Sequence, residues 1–461
     1  MMFDKIHEEC GVFGIFDDSG INAAESAYYA LYALQHRGQE SCGIAVNDSG
    51  TIRIAGDSGL VSEVFTEDAI KNLAAGCASI GHVRYGVFST AAKEELQPLL
   101  VTHVKGKFAL CNNGSLSNYK ELREQLELNG FIFHTESDAE LISGMLIHEM
   151  LESSCLEDAL LRIMAKMEGA YSLLIMTDDR LIAVRDPWGF RPLCIGRTSG
   201  GYAFASESCA LDSIHADFLR DVAPGEIVTA GKTGISSITA FCDLKQTALC
   251  IFEYIYFSRP DSVVDGVSVH HTRHKAGQFL AEDYPTEADV VIGVPDSGID
   301  AAIGYSAASG IPYGLGFVKN KYIGRTFIQP NLADREDKVR IKLNPMKNVV
   351  KGKRVVLVDD SIVRGTTCGR IVRLLRQAGA AEVHLRVSSP PFLHPCYFGT
   401  DIDSEEKLIA HKHSKEEIGK LLDADSIEFL RADRLEDMAK GCRLGFCTGC
   451  FTGKYPCYIP K

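Results

Sequence analysis

A short apolar strand that runs directly into two acidic residues is the feature that most restricts the fold of this chain. The run Val355–Val358 is followed by Asp359 and Asp360, and then by small and hydroxyl residues. A helix is predicted over Thr367–Ala378, with Gly379 as its stop signal. A Val-rich strand without polar alternation is typical of a parallel sheet buried on both faces. The pattern therefore predicts a βαβ unit in a doubly wound sheet.

Two other apolar runs complete the expected sheet. Asp289–Val294 and Glu382–Val387 are Val-rich, and the first leads into the turn Pro295–Gly298. Because the carboxyl ends of parallel strands meet at one edge of a sheet, this turn is expected beside the loop that begins at Asp359. Alone it is an ordinary Pro-Asp turn. Beside a second polar loop it predicts a site for pyrophosphate.

The loop after Val358 has the chemistry to hold a phosphorylated ribose. Backbone N–H groups and the hydroxyls of Ser361, Thr366 and Thr367 can surround a phosphate where the helix begins. Asp359 and Asp360 can accept hydrogen bonds from ribose hydroxyls and assist a hydrated Mg²⁺. The alternative is an acidic surface turn capped by threonine.

The first half of the chain alternates short strands with helical patterns, which predicts a layered α/β domain. The boundary with the second half is expected between Thr239 and Leu249, and Asp401–Asp437 is predicted to be helical. The helices expected in the first half are Ala23–Leu34, Asn118–Leu128 and Asp138–Leu151, the last with Asp138 as its N-cap. The predicted divisions are residues 1–9 as a propeptide, 10–240 and 250–440 as domains, and 441–461 as a Cys-rich segment.

The N-terminal half also carries the residue types needed to hydrolyse glutamine. Cys10, if its own amino group were freed by loss of residues 1–9, could act as a nucleophile with that amine as base. Gly81–Tyr85 supplies an arginine for a carboxylate, Asn112–Gly114 an amide and an N–H for an oxyanion, and Glu136–Glu140 an acid for an α-ammonium group. Taken alone, Cys10 also fits an ordinary buried thiol.

Four cysteines have the pattern of a metal site. Cys447 and Cys450 form a C-x-x-C pair, to which Cys250 and Cys396 add two distant thiols. Zinc and a [4Fe–4S] cluster both accept four thiolates, and the spacing does not choose between them. Ordinary reduced cysteines remain the third interpretation.

Charge and segment composition limit the classes of function. With 48 Lys and Arg against 61 Asp and Glu, the net charge is −13, which argues against a nucleic-acid-coating protein. No apolar run has the length of a membrane span, and the first residues lack the apolar core of a secretory signal. A cytoplasmic enzyme with reduced thiols, without nucleic-acid or membrane partners, is therefore expected.

The motifs in this order resemble two known domains joined in one chain. The N-terminal strings resemble the glutaminase domain of class II amidotransferases, and Val355–Thr367 resembles the phosphoribosyl pyrophosphate (PRPP) loop of type I phosphoribosyltransferases. Together they resemble the glutamine PRPP amidotransferase family. The most specific strings are Cys10–Gly14, Leu34–Gln39, Phe252–Asp261, Lys319–Ile328 and the PRPP loop. The resemblance implies a four-layer αββα N-terminal-nucleophile domain followed by a doubly wound phosphoribosyltransferase domain.

The resemblance also implies a reaction and assigns residues to it. Members convert PRPP, glutamine and water to 5-phosphoribosylamine, pyrophosphate and glutamate, the first step of de novo purine synthesis. In the glutaminase site, Cys10 would be the nucleophile, Asn113 and Gly114 the oxyanion hole, and Arg84 and Asp138 the glutamine-binding residues. PRPP would be bound by Asp296, Ser297, Lys321, Arg325, Asp359, Asp360, Ser361, Arg364, Gly365, Thr366 and Thr367, with Ser297, Asp359 and Asp360 at the Mg²⁺ site.

One branch of the family combines a propeptide with a [4Fe–4S] cluster. Cys250, Cys396, Cys447 and Cys450 fall on its ligand positions, so the resemblance favours iron–sulfur over zinc. It further implies a homo-oligomer, with a tetramer favoured, and feedback inhibition by purine nucleotides. One departure is Val87, which stands where the family usually has threonine and cannot donate a hydroxyl hydrogen bond to glutamine.

Three alternatives remain open at this point. An amidotransferase that makes an amino sugar would share the N-terminal half, although it would not need the Asp359–Asp360 pair before a phosphate turn. A PRPP-sensing regulator of transcription would share the second half, although the negative charge disfavours it. A homologue with degraded activity would be supported by Val87 alone.

Overall fold

Two antiparallel sheets face each other in the N-terminal half of this computed structural model, which describes residues 10–85, 94–320, 343–400, 402 and 404–460. Apolar side chains from both sheets interdigitate between them, including Phe16, Ile80 and Leu174. The strands are β1 (Gly11–Asp17), β2 (Ser41–Asp48), β3 (Thr51–Ser58), β4 (Ala78–Arg84), β5 (Leu99–His103), β6 (Gly106–Asn113), β7 (Ser172–Met176), β8 (Arg180–Arg185), β9 (Cys194–Arg197), β10 (Gly201–Ala205), β11 (Asp217–Asp221), β12 (Ile227–Gly231) and β13 (Gly234–Ile238).

Helices cover the outer faces of both sheets. The order β11-β9-β10-β1-β4-β2-β3 forms one sheet and β13-β12-β8-β7-β6-β5 the other. The helices are α1 (Ala23–Ala33), α2 (Val61–Val64), α3 (Glu67–Leu73), α4 (Tyr119–Leu128), α5 (Asp138–Met150), α6 (Leu156–Met164) and α7 (Ser208–Ser213). Because α1 and α7 pack on the first sheet and α4, α5 and α6 on the second, the predicted αββα layering is confirmed.

The second half is built on a four-stranded parallel sheet. Its elements are β14 (Leu249–Cys250), β15 (Val263–Val264), β16 (Val267–Ser268), α8 (Val269–Asp283), β17 (Val290–Gly293), α9 (Gly298–Ser309), β18 (Phe317–Lys319), β19 (Leu343–Pro345), α10 (Lys347–Val350), β20 (Arg354–Asp359), α11 (Thr366–Gln377), β21 (Glu382–Val387), α12 (Ile409–Lys412), α13 (Lys415–Leu421), β22 (Ser426–Phe429), α14 (Leu435–Met438), β23 (Phe446–Cys447) and α15 (Gly449–Thr452). The strand order is β17-β20-β21-β22.

Strand β20 shows why this sheet needs apolar residues at every position. Val356 and Val358 pack in the core that contains α8 and α9. Val355 and Leu357 point to the other face, where they pack against α11. With helices on both faces, alternate side chains of one strand enter different cores, as a doubly wound sheet requires. The predicted fold class of the second half is confirmed.

Two local predictions are wrong. Helix α5 begins at Asp138, but Ser137 is its N-cap, and its side chain accepts a hydrogen bond from the Glu140 N–H. The segment Asp401–Asp437 is not continuously helical, because it contains β22, which pairs with β21 and extends the parallel sheet. No helix within the described part of the chain is both long and apolar enough to cross a membrane.

Candidate active site

Three strand ends bring the predicted glutaminase residues together. Strand β1 begins next to Cys10 and runs antiparallel to β4, so that Gly11 is paired with Val83 near the end of β4. Strand β6 lies in the facing sheet, and the His82 Nε2 atom is 3.1 Å from the carbonyl oxygen of Asn112. The start of β1 and the ends of β4 and β6 therefore share one end of the sandwich.

At the end of β6, where the oxyanion hole is predicted, the side-chain amide of Asn113 has no hydrogen-bond partner among the described residues. Asn113 is completely buried, and neither its amide nitrogen nor its amide oxygen has a hydrogen-bond partner among the described residues. Gly114 has φ +130°, and a Cβ atom there would lie 2.4 Å from the carbonyl oxygen of Ala170. Only glycine fits this turn. A buried amide without a partner beside such a turn is suited to a transient oxyanion.

The predicted clamps for glutamine lie at the end of β4 and the start of α5. Arg84 forms an ion pair with Glu95, and both side chains are mostly buried. The Asp138 carboxylate accepts a hydrogen bond of 3.0 Å from the Leu116 N–H. Burial raises the pKa of Asp138 to about 6, and the charge of Glu95 adds to that rise against the hydrogen bonds to the carboxylate.

A buried ionic network joins this end of the sandwich to the second domain. Arg37 donates to Glu207 at 2.7 Å and to both carboxylate oxygens of Glu253 at 2.7 and 2.9 Å. Its Nε donates to the Cys10 carbonyl at 3.2 Å. Burial alone would raise the pKa of Glu207, but the charges of His36 and Arg37 hold it well below its usual range. The guanidinium therefore connects the backbone of Cys10 to Glu253 across the domain boundary.

Removing Arg37 is expected to destabilise the protein strongly. Arg37→Met removes the guanidinium that the buried carboxylates of Glu207 and Glu253 share. His36 still contacts Glu207 and Arg191 lies 3.7 Å from Glu253, but loss of the shared buried partner is expected to cost about 3–5 kcal/mol of unfolding free energy. Urea unfolding measures this. Arg162→Met is the matched control, because Arg162 is exposed and its ion pairs are 3.8 Å long; it is expected to cost less than about 1 kcal/mol. Similar losses in both variants would contradict the importance of the network.

The contribution of the ionic network to the stability of the folded protein depends on pH, and the depressed pKa of Glu207 fixes the direction of the change. Because the folded-state pKa of Glu207 is depressed, its stabilisation is present above the unfolded pKa of about 4.3 and is lost as the pH falls further. The stability difference between wild-type protein and Arg37→Met should therefore narrow in acid.

The predicted PRPP loops lie side by side at the carboxyl edge of the parallel sheet. Strands β17 and β20 are paired, with Gly293 opposite Val358. The Ser297 hydroxyl donates to one oxygen of Asp360, and the Ser361 hydroxyl donates to the other. The expectation that these two loops meet is therefore confirmed by direct hydrogen bonds.

The phosphate loop itself matches the expected shape. Asp359 and Asp360 are at most 1% exposed at the end of β20, whereas Arg364 and Thr366 are exposed. Gly365 has φ +82° and precedes the first residue of α11. The loop therefore presents backbone N–H groups of the α11 N-terminus beside two buried carboxylates. Thr367 is mostly buried in the first turn of the same helix.

Lys319 adds a positive charge near this edge of the parallel sheet. It lies at the end of β18 and forms an ion pair with Asp296. Lys321 and Arg325, which the resemblance assigns to PRPP, lie outside the described residues, as does Val87.

The four predicted cluster cysteines line one cavity. Cys250, Cys396, Cys447 and Cys450 border it together with aromatic side chains such as Phe252 and Tyr455. Burial and the charges of the other three thiols raise the pKa of Cys450 well above its usual range. Strands β14 and β23 pair Cys250 directly with Cys447. Within the ranges that the structure describes, no three His, Cys, Asp or Glu side chains are placed to hold a single metal ion.

Several residues of this region carry no recognisable sequence pattern. Glu207 and Glu253 lie far along the chain from Arg37. Glu95 lies 11 residues from Arg84, in a segment without a motif. No sequence periodicity identifies any of the three. Arg37 and Glu253 do stand inside two of the specific strings, Leu34–Gln39 and Phe252–Asp261. A charged residue within each of these two strings was the only available signal of a buried ion pair, and it did not show that the two residues are partners.

Comparisons with known proteins identify both predicted domains. The glutamine amidotransferase domain family matches residues 82–213, and the phosphoribosyl transferase domain family matches residues 267–389. The amidophosphoribosyltransferase of Methanocaldococcus jannaschii is 47% identical over 97% of both chains, and that of Archaeoglobus fulgidus is 47% identical over 98% of both.

A solved structure matches the whole architecture. Glutamine PRPP amidotransferase from Bacillus subtilis, complexed with ADP and GMP, is 46% identical, with a TM-score of 0.91 over 98% of each chain. Both domains and their order are thus shared with relatives that align over nearly the whole chain. The chain belongs to the amidophosphoribosyltransferase family.

Proposed function

We propose that this chain transfers the amide nitrogen of glutamine to PRPP, giving 5-phosphoribosylamine, pyrophosphate and glutamate. The observation that carries the proposal is the presence of both half-sites in one chain. A cysteine lies at the same end of the sandwich as a buried amide that has no partner among the described residues, and two polar loops are hydrogen-bonded to each other at a parallel sheet edge. The amidophosphoribosyltransferases that align with almost the whole chain support the proposal.

In the glutaminase half, the Cys10 thiolate attacks the side-chain amide of glutamine. Asn113 and the Gly114 N–H stabilise the oxyanion, and one such donor is typically worth about 10²–10³ in rate. Arg84 binds the α-carboxylate and Asp138 the α-ammonium group. Ammonia leaves, and water then hydrolyses the γ-glutamyl thioester to release glutamate. The attack requires a free α-amino group on Cys10 as base, hence removal of residues 1–9.

In the phosphoribosyl half, the two buried acids orient the sugar. Asp359 and Asp360 accept hydrogen bonds from the ribose hydroxyls, while the N–H groups at the start of α11 hold the 5-phosphate. Mg²⁺, held near Ser297, Asp359 and Asp360, would neutralise charge on the departing pyrophosphate. The oxygen-rich donor set of these residues fits that ion. Ammonia then attacks the anomeric carbon.

Direct contacts between the domains support coupling of the two half-reactions. The Arg191 Nη2 atom donates to the Phe398 carbonyl at 2.6 Å. A Cβ atom at the next residue, Gly399, would lie 3.6 Å from the Gly114 Cα, so the second domain touches the oxyanion turn. Binding of PRPP to its loops can thereby influence the glutaminase site. Ammonia would pass from one domain to the other where the two domains are in contact.

We further propose that the cavity bordered by Cys250, Cys396, Cys447 and Cys450 holds a structural [4Fe–4S] cluster. Four thiols around one cavity provide the ligands that such a cluster requires. The segment that contains Cys396 lies beside the predicted oxyanion turn, because a Cβ atom at Gly399 would lie 3.6 Å from the Gly114 Cα. The cluster would supply no redox step and would tie the C-terminal segment to the domain boundary.

Protein purified without oxygen is expected to contain about four iron atoms per chain. Cys450→Ser should remove most of the iron and its visible absorption, because a ligand is lost. Cys442→Ser is the matched control, since Cys442 is near the cluster in sequence but hydrogen-bonded to Tyr254. One zinc per chain instead of iron, or equal iron loss in both variants, would contradict the cluster.

The remaining features of the family are proposed for this chain as well. The Bacillus subtilis structure was solved with ADP and GMP, which supports inhibition by purine nucleotides here. A cytoplasmic homotetramer is the proposed assembly.

A panel of acceptors tests the proposed function. The purified chain is given glutamine and Mg²⁺ with either PRPP or fructose 6-phosphate. We expect pyrophosphate and glutamate in equal amounts with PRPP and no amino sugar from the other acceptor. An amino sugar product would replace the proposal with a different class II amidotransferase, and specific DNA binding at physiological salt without catalysis would favour a regulator.

A further inference from the structure

Glu95 is an acidic residue that contacts Arg84, the predicted clamp for the carboxylate. Its carboxylate accepts from Arg84 Nη2, and the two side chains are 14% and 17% exposed. It is also close to the other clamp, because its charge adds to the burial that raises the pKa of Asp138. Glu95 therefore contacts the group expected to bind one end of an amino acid and interacts electrostatically with the group expected to bind the other.

The contacts of the neighbouring residue Gln97 fix the segment that carries Glu95. Two residues on, the Gln97 side chain accepts a hydrogen bond of 2.7 Å from the Asn112 N–H, next to the oxyanion residue Asn113. A Cβ atom at Gly43 would lie 2.3 Å from the Gln97 carbonyl oxygen, so strand β2 packs tightly against this segment. Residues 95–97 thus brace both the arginine and the end of β6.

The hydrogen bonds of Arg84 leave one edge of its guanidinium for a ligand. A guanidinium has five N–H donors in a rigid plane. Nη2 is held by Glu95, whereas Nη1 is buried and has no hydrogen-bond partner within the described part of the chain. A buried charged donor without a partner is costly, so Nη1 is suited to a ligand anion.

We propose that Glu95 is a positioning residue of the glutamine site, holding Arg84 so that its remaining N–H groups meet the substrate's α-carboxylate. This role rests on the proposed function. The opposite role is a competitor, in which Glu95 occupies Arg84 and glutamine has to displace it. The buried Nη1 favours positioning, because the guanidinium still has donors to offer while Glu95 is bound.

Variants of Glu95 distinguish the positioning role from the competitor role, because the two roles predict opposite changes in KM for glutamine. Charged hydrogen bonds contribute about 1.5–3 kcal/mol, so we expect Glu95→Ala to raise KM for glutamine about 10- to 100-fold at saturating PRPP. Glu95→Gln keeps an acceptor oxygen and should recover part of the loss. Ammonia-dependent synthesis should be unchanged. Glu94→Ala is the matched control, because Glu94 is adjacent and exposed.

A substrate without the α-carboxylate distinguishes positioning from general damage. For the α-amide of glutamine, Glu95→Ala and wild-type protein should have similar KM values, because no carboxylate remains for Arg84 to bind. A lower KM for glutamine in Glu95→Ala, an unchanged KM, or equal penalties for both substrates would overturn the proposal. Wild-type protein that released no glutamate, or released it without response to PRPP, would instead contradict the proposed function, which separates the two failures.

Discussion

Cys10→Ala is expected to abolish glutamine-dependent synthesis of 5-phosphoribosylamine and to leave ammonia-dependent synthesis intact. The thiol is the only group assigned to attack the amide, and loss of a catalytic nucleophile typically costs more than about 10⁴-fold in rate. The PRPP loops lie in the other domain, on a separate sheet, so free ammonia should still reach them. Pyrophosphate release, measured with glutamine and then with ammonium at pH 8.5 as nitrogen donor, reports both activities.

The control for this variant is another cysteine of the same domain. Cys155 is exposed and precedes α6, where it takes part in none of the strand ends of the site. Cys155→Ala should retain both activities. If Cys10→Ala lost both activities together while remaining folded, the separation of the two half-sites would be refuted.

Replacing both acids at the end of β20 is expected to weaken every PRPP-dependent reaction strongly. Asp359→Asn with Asp360→Asn keeps the side-chain shapes but removes the two charges that accept from ribose hydroxyls and assist Mg²⁺. At about 1.5–3 kcal/mol for each charged hydrogen bond, the double variant should lose about 10²–10⁴-fold in kcat/KM for PRPP. Both nitrogen donors should be affected equally, because the step with PRPP is common to them.

An acidic residue away from the loops serves as the control for the double variant. Glu282 is exposed near the end of α8, and Glu282→Gln should bind PRPP normally. Equilibrium binding of PRPP, followed by calorimetry with Mg²⁺ present, gives the affinity without turnover. Unchanged affinity in the double variant would remove Asp359 and Asp360 from the ribose site.

The sequence predicted those parts of the structure that local patterns encode. Strand β20, the stop of α11 at Gly379 and the meeting of the two polar loops all follow from strand polarity and from helix-ending glycine. The αββα layering followed from the resemblance rather than from periodicity alone. Short apolar runs identify strands, but they do not state which sheet each strand joins.

The errors have local physical causes. Ser137 and Asp138 are both good N-cap residues, so their order alone does not decide which one caps α5. Asp138 is engaged by the Leu116 N–H, a long-range contact that frees Ser137 to cap. Strand β22 is only Ser426–Phe429, and its two outward residues are polar, which hid it within a charged segment.

The buried charges could not have been predicted from the chain in isolation. Arg37 meets Glu253 across 216 positions, and Arg185 meets Asp265 across 80, both at the domain boundary. Burial of an arginine is favourable only when such a partner is present, and the sequence does not show which partner will be there. The coupling between domains is therefore visible only in the folded structure.

Glutamate release from glutamine, measured with and without PRPP and Mg²⁺ on protein purified without oxygen, tests the central claim most directly. Because the oxyanion turn contacts the second domain, we predict slow release in the absence of PRPP. With PRPP, release should be strongly stimulated and matched by equimolar pyrophosphate. Glutamate release that is indifferent to PRPP, from protein whose mass confirms Cys10 as the first residue, would contradict a coupled amidotransferase.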